Sequence, residues 1–384
     1  RPARMIIKEI TDHAELAEIA PAWADLAERV ANKNPFMLPA FLLTHLQHVG
    51  SMYGYRVLTA WEGDRLLGFA PTFQSSKGKL GAYFRRISFP VYGTSPPFDV
   101  LIDGENADVA GAFWSRWRKS RGWDLIELEN VPAGSTTVKL FSSAVEEHGL
   151  HLVTLPSRIG MYVPIKGTWN EYWMSLEKKV RNTCGRATKR CGSKGESRLE
   201  RYPNDGMDVE KALAMMGHVL EKSWKGTSAD SRRSHELLLE MARALADAGL
   251  LDLRFVTVEG KAVAYMMNVD YRRRLNAFHT AYDLDYLWHG PTILLHRDSI
   301  QAAYERGYER YDLHGGRRPD LTRWTEHYDS YVTLQVMRRG LLSRVKRDLY
   351  RRVHEQRVAK AKEETNQTKE AAKISARLSS ADDE

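Results

Sequence analysis

The chain has 384 residues, 43% of them apolar and 28% charged, the proportions of a folded globular protein of about two domains rather than a disordered one. No run of about 18 apolar residues could span a membrane, residues 1–10 lack the apolar segment of a secretory leader, and two cysteines, Cys184 and Cys191, exclude a disulfide scaffold or a cysteine-rich zinc site. The net charge of +8 is concentrated: residues 178–201 carry +7 and residues 338–357 carry +6, so the rest of the chain is negative and two local anionic partners are expected.

In chain order, apolar residues from Leu16 to Val30 recur at three and four positions and predict a helix over His13–Ala31. A second helix follows Pro39. The period then changes to that of strands at Tyr55–Trp61 and Arg65–Phe73, separated by the turn Glu62-Gly63-Asp64. Arg86–Phe89 and Phe98–Ile102 read as strands on either side of a proline-rich loop, Ala107–Ser120 as a helix, and Trp123–Leu128 as a strand after Gly122. The second half repeats this order. Helices are predicted over Lys178–Arg190, Asp208–Trp224 and Ser234–Ala248, with a free-thiol pair on one face of the first. A hairpin turns at Glu259-Gly260-Lys261, a strand covers Leu275–Ala281, a proline-started helix covers Pro291–Arg306, and a short strand covers Arg310–Leu313. The Glu-Gly turns are 197 residues apart and the glycines ending the paired helices, Gly122 and Gly307, are 185 apart. A period this long means tandem domains, expected at 5–165 and 166–340. Residues 341–357 space like an amphipathic helix dense in arginine, and the aromatic-free remainder to 384 reads as a frayed or disordered tail.

Several segments carry a family resemblance. They are Arg65-Leu-Leu-Gly-Phe-Ala-Pro, Trp123-Asp-Leu-Ile-Glu-Leu, Tyr172-Trp-Met-Ser-Leu-Glu-Lys-Lys-Val-Arg181, Phe278-His-Thr-Ala-Tyr-Asp283 and Tyr311-Asp-Leu-His-Gly-Gly316. Their order over residues 15–335 resembles the GNAT acyltransferases, in the tandem FemAB-like arrangement, and more narrowly the CelD/BcsL-type acetyltransferases of bacterial exopolysaccharide loci. The resemblance implies an α/β (α+β) fold of two GNAT-like units, each a mixed, mostly antiparallel sheet flanked by helices. It also implies an acyl-CoA donor, acetyl-CoA first, and no metal. The usual pyrophosphate loop is replaced by Asp283-Leu-Asp-Tyr-Leu-Trp-His-Gly290-Pro, so acetyl-CoA, a longer acyl-CoA and an acyl carrier protein all stay open as donors.

Acyl transfer to an amine needs an anchored donor, a hydrogen bond to the thioester oxygen and a proton acceptor. The start of helix Pro291–Arg306, with Gly290, Thr292, Ile293 and Leu294, offers amides and a dipole for phosphate. His279, Asp283, Asp312 and His314 are the candidate proton-handling residues, with capping and core hydrogen bonding as the alternative roles of the aspartates and histidines. Trp173, Lys178, Arg181 and Trp224 are candidates for the acceptor cleft. No Ser-His-Asp order, metal motif or nucleotide-binding glycine loop occurs, so direct attack on the thioester is expected. The leading expectation is a cytoplasmic enzyme, peripheral at the inner membrane face, acylating an amine of an envelope or exopolysaccharide precursor, small or lipid-linked. Long-chain acylation of a sphingoid base or amino acid is a second reading, and a non-catalytic sensor of an anionic nucleotide a third. The basic helix after residue 340 would meet an anionic membrane surface or a regulatory nucleotide. The basic segments lack interleaved aromatics, so no nucleic-acid partner is expected.

Overall fold

A computed structural model of the chain describes residues 5–338 except 32, 51–53, 78–83, 91–95, 149, 151, 205 and 224–228. The predicted basic helix and tail after residue 340 lie outside the described residues, as does Trp224.

The first half runs β1 (Ile6–Ile10), α1 (His13–Glu18), α2 (Ala20–Arg29), a 3-10 turn (Pro35–Met37), α3 (Pro39–Gly50), β2 (Tyr55–Glu62), β3 (Arg65–Lys77), β4 (Phe84–Ser88), β5 (Leu101–Ile102), α4 (Ala107–Lys119), β6 (Leu125–Pro132), α5 (Thr136–Glu147) and β7 (Leu152–Pro164). The second runs α6 (Trp169–Ser175), α7 (Lys178–Gly192), β8 (Ser197–Tyr202), α8 (Val209–Lys222), α9 (Ala229–Asp247), β9 (Leu251–Val258), β10 (Lys261–Tyr271), β11 (Arg274–Tyr282), a 3-10 turn (Leu284–His289), α10 (Pro291–Glu305), β12 (Arg310–Asp312), α11 (Pro319–Thr322) and β13 (Tyr328–Met337). None of the described helices is long and apolar enough to cross a membrane.

Most predicted elements are present, with two differences. The helix expected over His13–Ala31 is two helices, because Pro21 sits in the first turn of α2 and its missing amide is tolerated there. The strand expected over Phe98–Ile102 shrinks to Leu101–Ile102, paired with β3. The second hairpin turns where expected: Glu259 and Gly260 take φ of 50° and 73°, the pair of positive angles that matches strand twist.

The strands form one sheet in the order β1-β2-β3-β4-β6-β13-β7-β12-β11-β10-β9-β8, mostly antiparallel. Its two parallel contacts are β4 with β6 and β11 with β12. The middle is crossed. β7, which ends the first half, pairs with β12, while β13, from the end of the second half, lies between β6 and β7. Each half is thus flanked by a strand from the other. Buried Glu127 on β6 holds this seam, accepting from Gln335 of β13 at 2.9 Å and from Arg86 of β4 at 2.5 Å.

Three apolar clusters fill the layers. The first lies under α2 to α5, where Trp23 stacks on Phe69 at 4.1 Å. Here Gly68 permits the approach of α4, since a Cβ would come within 2.5 Å of Val109. The second joins α7 and α10 to one face of the second-half sheet. The third lies on the opposite face under α8 and α9, and Phe36 and Phe41 of the first half are part of it. Ties from Lys33 to Glu309 at 2.6 Å and from the Tyr271 hydroxyl to Glu28 at 2.8 Å flank that insertion.

Candidate active site

β11 and β12 run side by side for three residue pairs only, Arg274 with Arg310, Leu275 with Tyr311 and Asn276 with Asp312. β11 then continues to Tyr282 while β12 ends, so the strands part beyond Asn276. In the same stretch the register with β10 slips, because Met267 faces His279 and Asn268 faces Ala277. Phe278 is the extra residue, and such a bulge re-aims the side chains around it. Leu275, Ala277 and Tyr282 pack on the α10 side. Phe278 and Ala281 pack on the other. His279 belongs with them: its Nδ1 lies 2.6 Å from the hydroxyl of Tyr265, a fully buried member of that cluster. Burial pushes the Tyr265 phenol well above its ordinary range, so it keeps its proton.

On the α10 side the chain leaves β11 through the turn Leu284–His289, and Gly290 takes φ of 68° before Pro291 opens the helix. That conformation suits glycine. α7 packs close by, with Ala187 Cβ only 3.9 Å from where a Gly290 Cβ would stand. The stripe Val180, Cys184, Ala187 and Cys191 turns the apolar side of α7 inward, both thiols are free and buried, and the basic residues are left outward.

Between α7, the α10 start, the end of β11 and α11 lies a cleft of about 860 Å³. Gly290, Thr292 and Ile293 form one wall, with Thr280 and Tyr282 beside them. Arg186 and Arg190 reach it from α7, and Arg318 and Arg323 from either end of α11. Asp320 also lines it, hydrogen-bonded by Arg318 at 2.9 Å. His289, His296 and Trp324 also line it. Burial pushes His296 down to about 4, leaving it neutral near pH 7. The Trp324 indole N–H and His289 Nδ1, both buried, have no hydrogen-bond partner among the described residues. A helix N-terminus and four guanidiniums make a wall of donors suited to phosphate oxygens.

The sequence candidates therefore separate. Gly290, Thr292 and Ile293 line the cleft, whereas Leu294 is 3% exposed and packs in the core. Asp283 caps the following turn, accepting from the Asp285 amide at 3.0 Å. Asp312 is 3% exposed and both its oxygens accept from Arg310 Nε at 2.8 Å. His314 holds Asn276 Oδ1 at 3.1 Å, faces Phe36 at 5.2 Å, and is pushed down to about 4 by burial. It and His279 both neighbour the Phe36–Phe278 contact, on the face away from α10. Arg181 donates to the Met174 carbonyl at 2.9 Å and so ties α7 to the end of α6. Trp173 stacks on Trp169 at 5.3 Å. Neither they nor exposed Lys178 line the cleft. Arg318, Arg323, His296 and Trp324 were not singled out from sequence. The four-residue spacing of Arg186 and Arg190 was visible; the remaining four converge only through α10 and α11.

Asp312→Asn should act on stability. The amide leaves Arg310 with a poorer partner on its own strand, a loss of about 1.5–3 kcal/mol for hydrogen bonds to a charged group. A denaturation midpoint equal to wild type, with kcat reduced instead, would reverse this assignment.

Parallel strands that part beside a proline-started helix, with a bulge in the longer strand, frame this cleft. Residues 178–328 match the family described as an acetyltransferase (GNAT) domain, so this part of the chain, which holds the cleft, is similar to GNAT acetyltransferases. The whole fold is similar to that of FemX, at 12% identity and a TM-score of 0.54, covering 90% of this chain and 99% of that one. It is also similar to L-PGS from Bacillus licheniformis, at 13% identity and a TM-score of 0.52, covering 88% and 96%. The C-terminal domain of a putative lysylphosphatidylglycerol synthetase from Agrobacterium fabrum gives 13% identity and a TM-score of 0.50 over 87% and 96%. No curated protein matches the sequence.

Proposed function

We propose that the protein transfers an acyl group, acetyl in the first instance, from an acyl-CoA thioester to a primary amine of an envelope or exopolysaccharide precursor. The observation that carries this reading is the cleft at the α10 start, where Thr292, Ile293 and four arginines surround a space of about 860 Å³ next to the parting of β11 and β12. Its guanidiniums and helix-start amides fit a pyrophosphate. When bound, the thioester provides the activated carbonyl. The chain's own residues then have two tasks. Arg186, Arg190, Arg318, Arg323 and the first amides of α10 hold phosphate on one side of the sheet. His279, held through Nδ1 by Tyr265, takes the ammonium proton on the other. Asp283 and Asp312 are engaged as a cap and in an ion pair, which favours the imidazole for that role. The acceptor class follows from the motif resemblance to CelD/BcsL-type enzymes.

The direct test is thiol release on mixing the protein with acetyl-CoA or long-chain acyl-CoA and a panel of amino sugars and lipid amines. Acceptor-dependent release supports the reading; its absence across both donor classes and all amines defeats it. Arg186→Gln should raise the donor KM by about 10-fold or more with little change in kcat, since a charged phosphate contact is worth about 1.5–3 kcal/mol in ground state and transition state alike. An unchanged KM would move the phosphate site elsewhere.

A further inference from the structure

Seven large apolar side chains are exposed among the described residues, and three of them, Leu284, Leu287 and Trp288, fall within the six-residue turn Leu284–His289. Trp288 is 83% exposed, the largest value of the seven. The turn is fixed in place: Asp283 caps its start, and Arg190 donates to the Trp288 carbonyl at 3.1 Å. Beside it, exposed Arg186, Arg190 and Lys194 succeed one another at four-residue spacing along α7 and past its end, so an apolar patch is edged by a basic row. Its location narrows the partner. The turn runs directly into Gly290 and the cleft wall, so whatever covers Trp288 stands at the mouth of the donor site.

We propose that this turn is the docking surface for an acidic acyl carrier protein, which presents its phosphopantetheine thioester to the cleft. The inference rests on the acyltransferase reading and names its donor-side partner. A free nucleotide thioester finds its contacts within the cleft and has no use for a tryptophan outside it. A thioester borne on a protein lacks the nucleotide and must gain recognition from the carrier's surface, where an exposed aromatic anchor and complementary charge supply affinity and orientation. One phosphodiester at the carrier end of the arm would meet Arg186 and Arg190 at the entrance. The reaction is the same on either donor. The amine nitrogen, its proton lost, attacks the thioester carbon; the C–N bond forms, the C–S bond breaks, and the thiolate leaves and is protonated.

The test compares wild type, Leu287→Ser/Trp288→Ser and Lys194→Glu in the full chain, titrating a fluorescently labelled holo-carrier protein and separately measuring kcat/KM with acyl-carrier and acyl-CoA. Both variants should bind the holo-carrier about 10-fold or more weakly, the loss expected on removing a central anchor. They should lose acyl-carrier turnover in proportion and keep acyl-CoA turnover. Carrier binding and turnover equal to wild type in both variants would overturn the proposal. So would variants that fail only to co-sediment with phosphatidylglycerol–phosphatidylcholine vesicles, an outcome that assigns the patch to a membrane surface. If wild type turns over neither donor, the acyltransferase reading fails, and the holo-carrier titration still decides the docking surface.

Discussion

Replacing His279 with glutamine should lower kcat by about 10²–10⁴-fold, the usual contribution of a positioned general base, and leave the donor KM nearly unchanged. His279 follows the bulge residue Phe278 on the stretch of β11 that has left β12, on the face opposite the arginine-lined cleft. Its Nδ1 is held by Tyr265 at 2.6 Å, an arrangement that fixes the ring plane and aims Nε2 at one place. A base acting on an ammonium leaves a signature that a packing residue does not. The acid limb of the kcat/KM profile should disappear in His279→Gln, and added imidazole should restore part of the rate to His279→Gly. Tyr265→Phe keeps the imidazole and loses its orientation, so a smaller fall in kcat is expected there. Wild-type turnover by His279→Gln would remove the residue from the chemistry and return the proton to solvent or to a group on the acceptor.

The second large effect is on folding. Arg254 is fully buried on β9 and is met by Asp252 at 2.7 Å and by Asp298 of α10 at 2.6 Å. Arg201 on β8 reaches Asp298 from outside at 2.5 Å, and Arg306 reaches Asp252 at 3.2 Å. Burial alone would make Asp252 hard to ionise, yet the adjacent guanidinium holds its carboxyl below the usual range. Arg254→Met removes the central cation and should cost about 3–5 kcal/mol, because buried carboxylates are left undercompensated. The chemical denaturation midpoint should fall accordingly. Changing Asp252 to Asn and Asp298 to Asn in the same chain should recover much of the loss, because the unpaired charges go with it. A midpoint shift below about 1 kcal/mol would mean that Arg201 and Arg306 suffice. The network also bears on the site, since Asp298 lies seven residues after the first residue of α10 and ties that helix to the sheet. Any surviving Arg254→Met protein should therefore show a raised donor KM as well.

Much of this architecture was legible in the sequence. The Glu-Gly hairpins, the proline start and glycine stop of α10, and the buried stripe of α7 are local patterns, set by backbone geometry and by the need to bury one face. They pointed to the α10 start, and Gly290, Thr292 and Ile293, named from it, all line the cleft. The strands that escaped notice are those without a local signature. β7 carries Pro156, Ser157 and Arg158 and shows an irregular burial pattern, so no alternation marks it, and its place beside β12 depends on a partner about 150 residues away. The same limit applied to the chemistry. Sequence offered four proton-handling residues, and the folded chain gives each a different environment. Asp283 meets the amide two residues on, Asp312 meets Arg310, and His314 is buried against Asn276 and Phe36. His279 is set on the far face of the sheet by one extra residue in a strand. A bulge is a disagreement between two strands' registers, and an ion pair is a meeting of two side chains. Neither exists until distant segments are side by side, which is why the sequence by itself specified the elements and the candidate helix start, while tertiary packing decided which residues line the cleft.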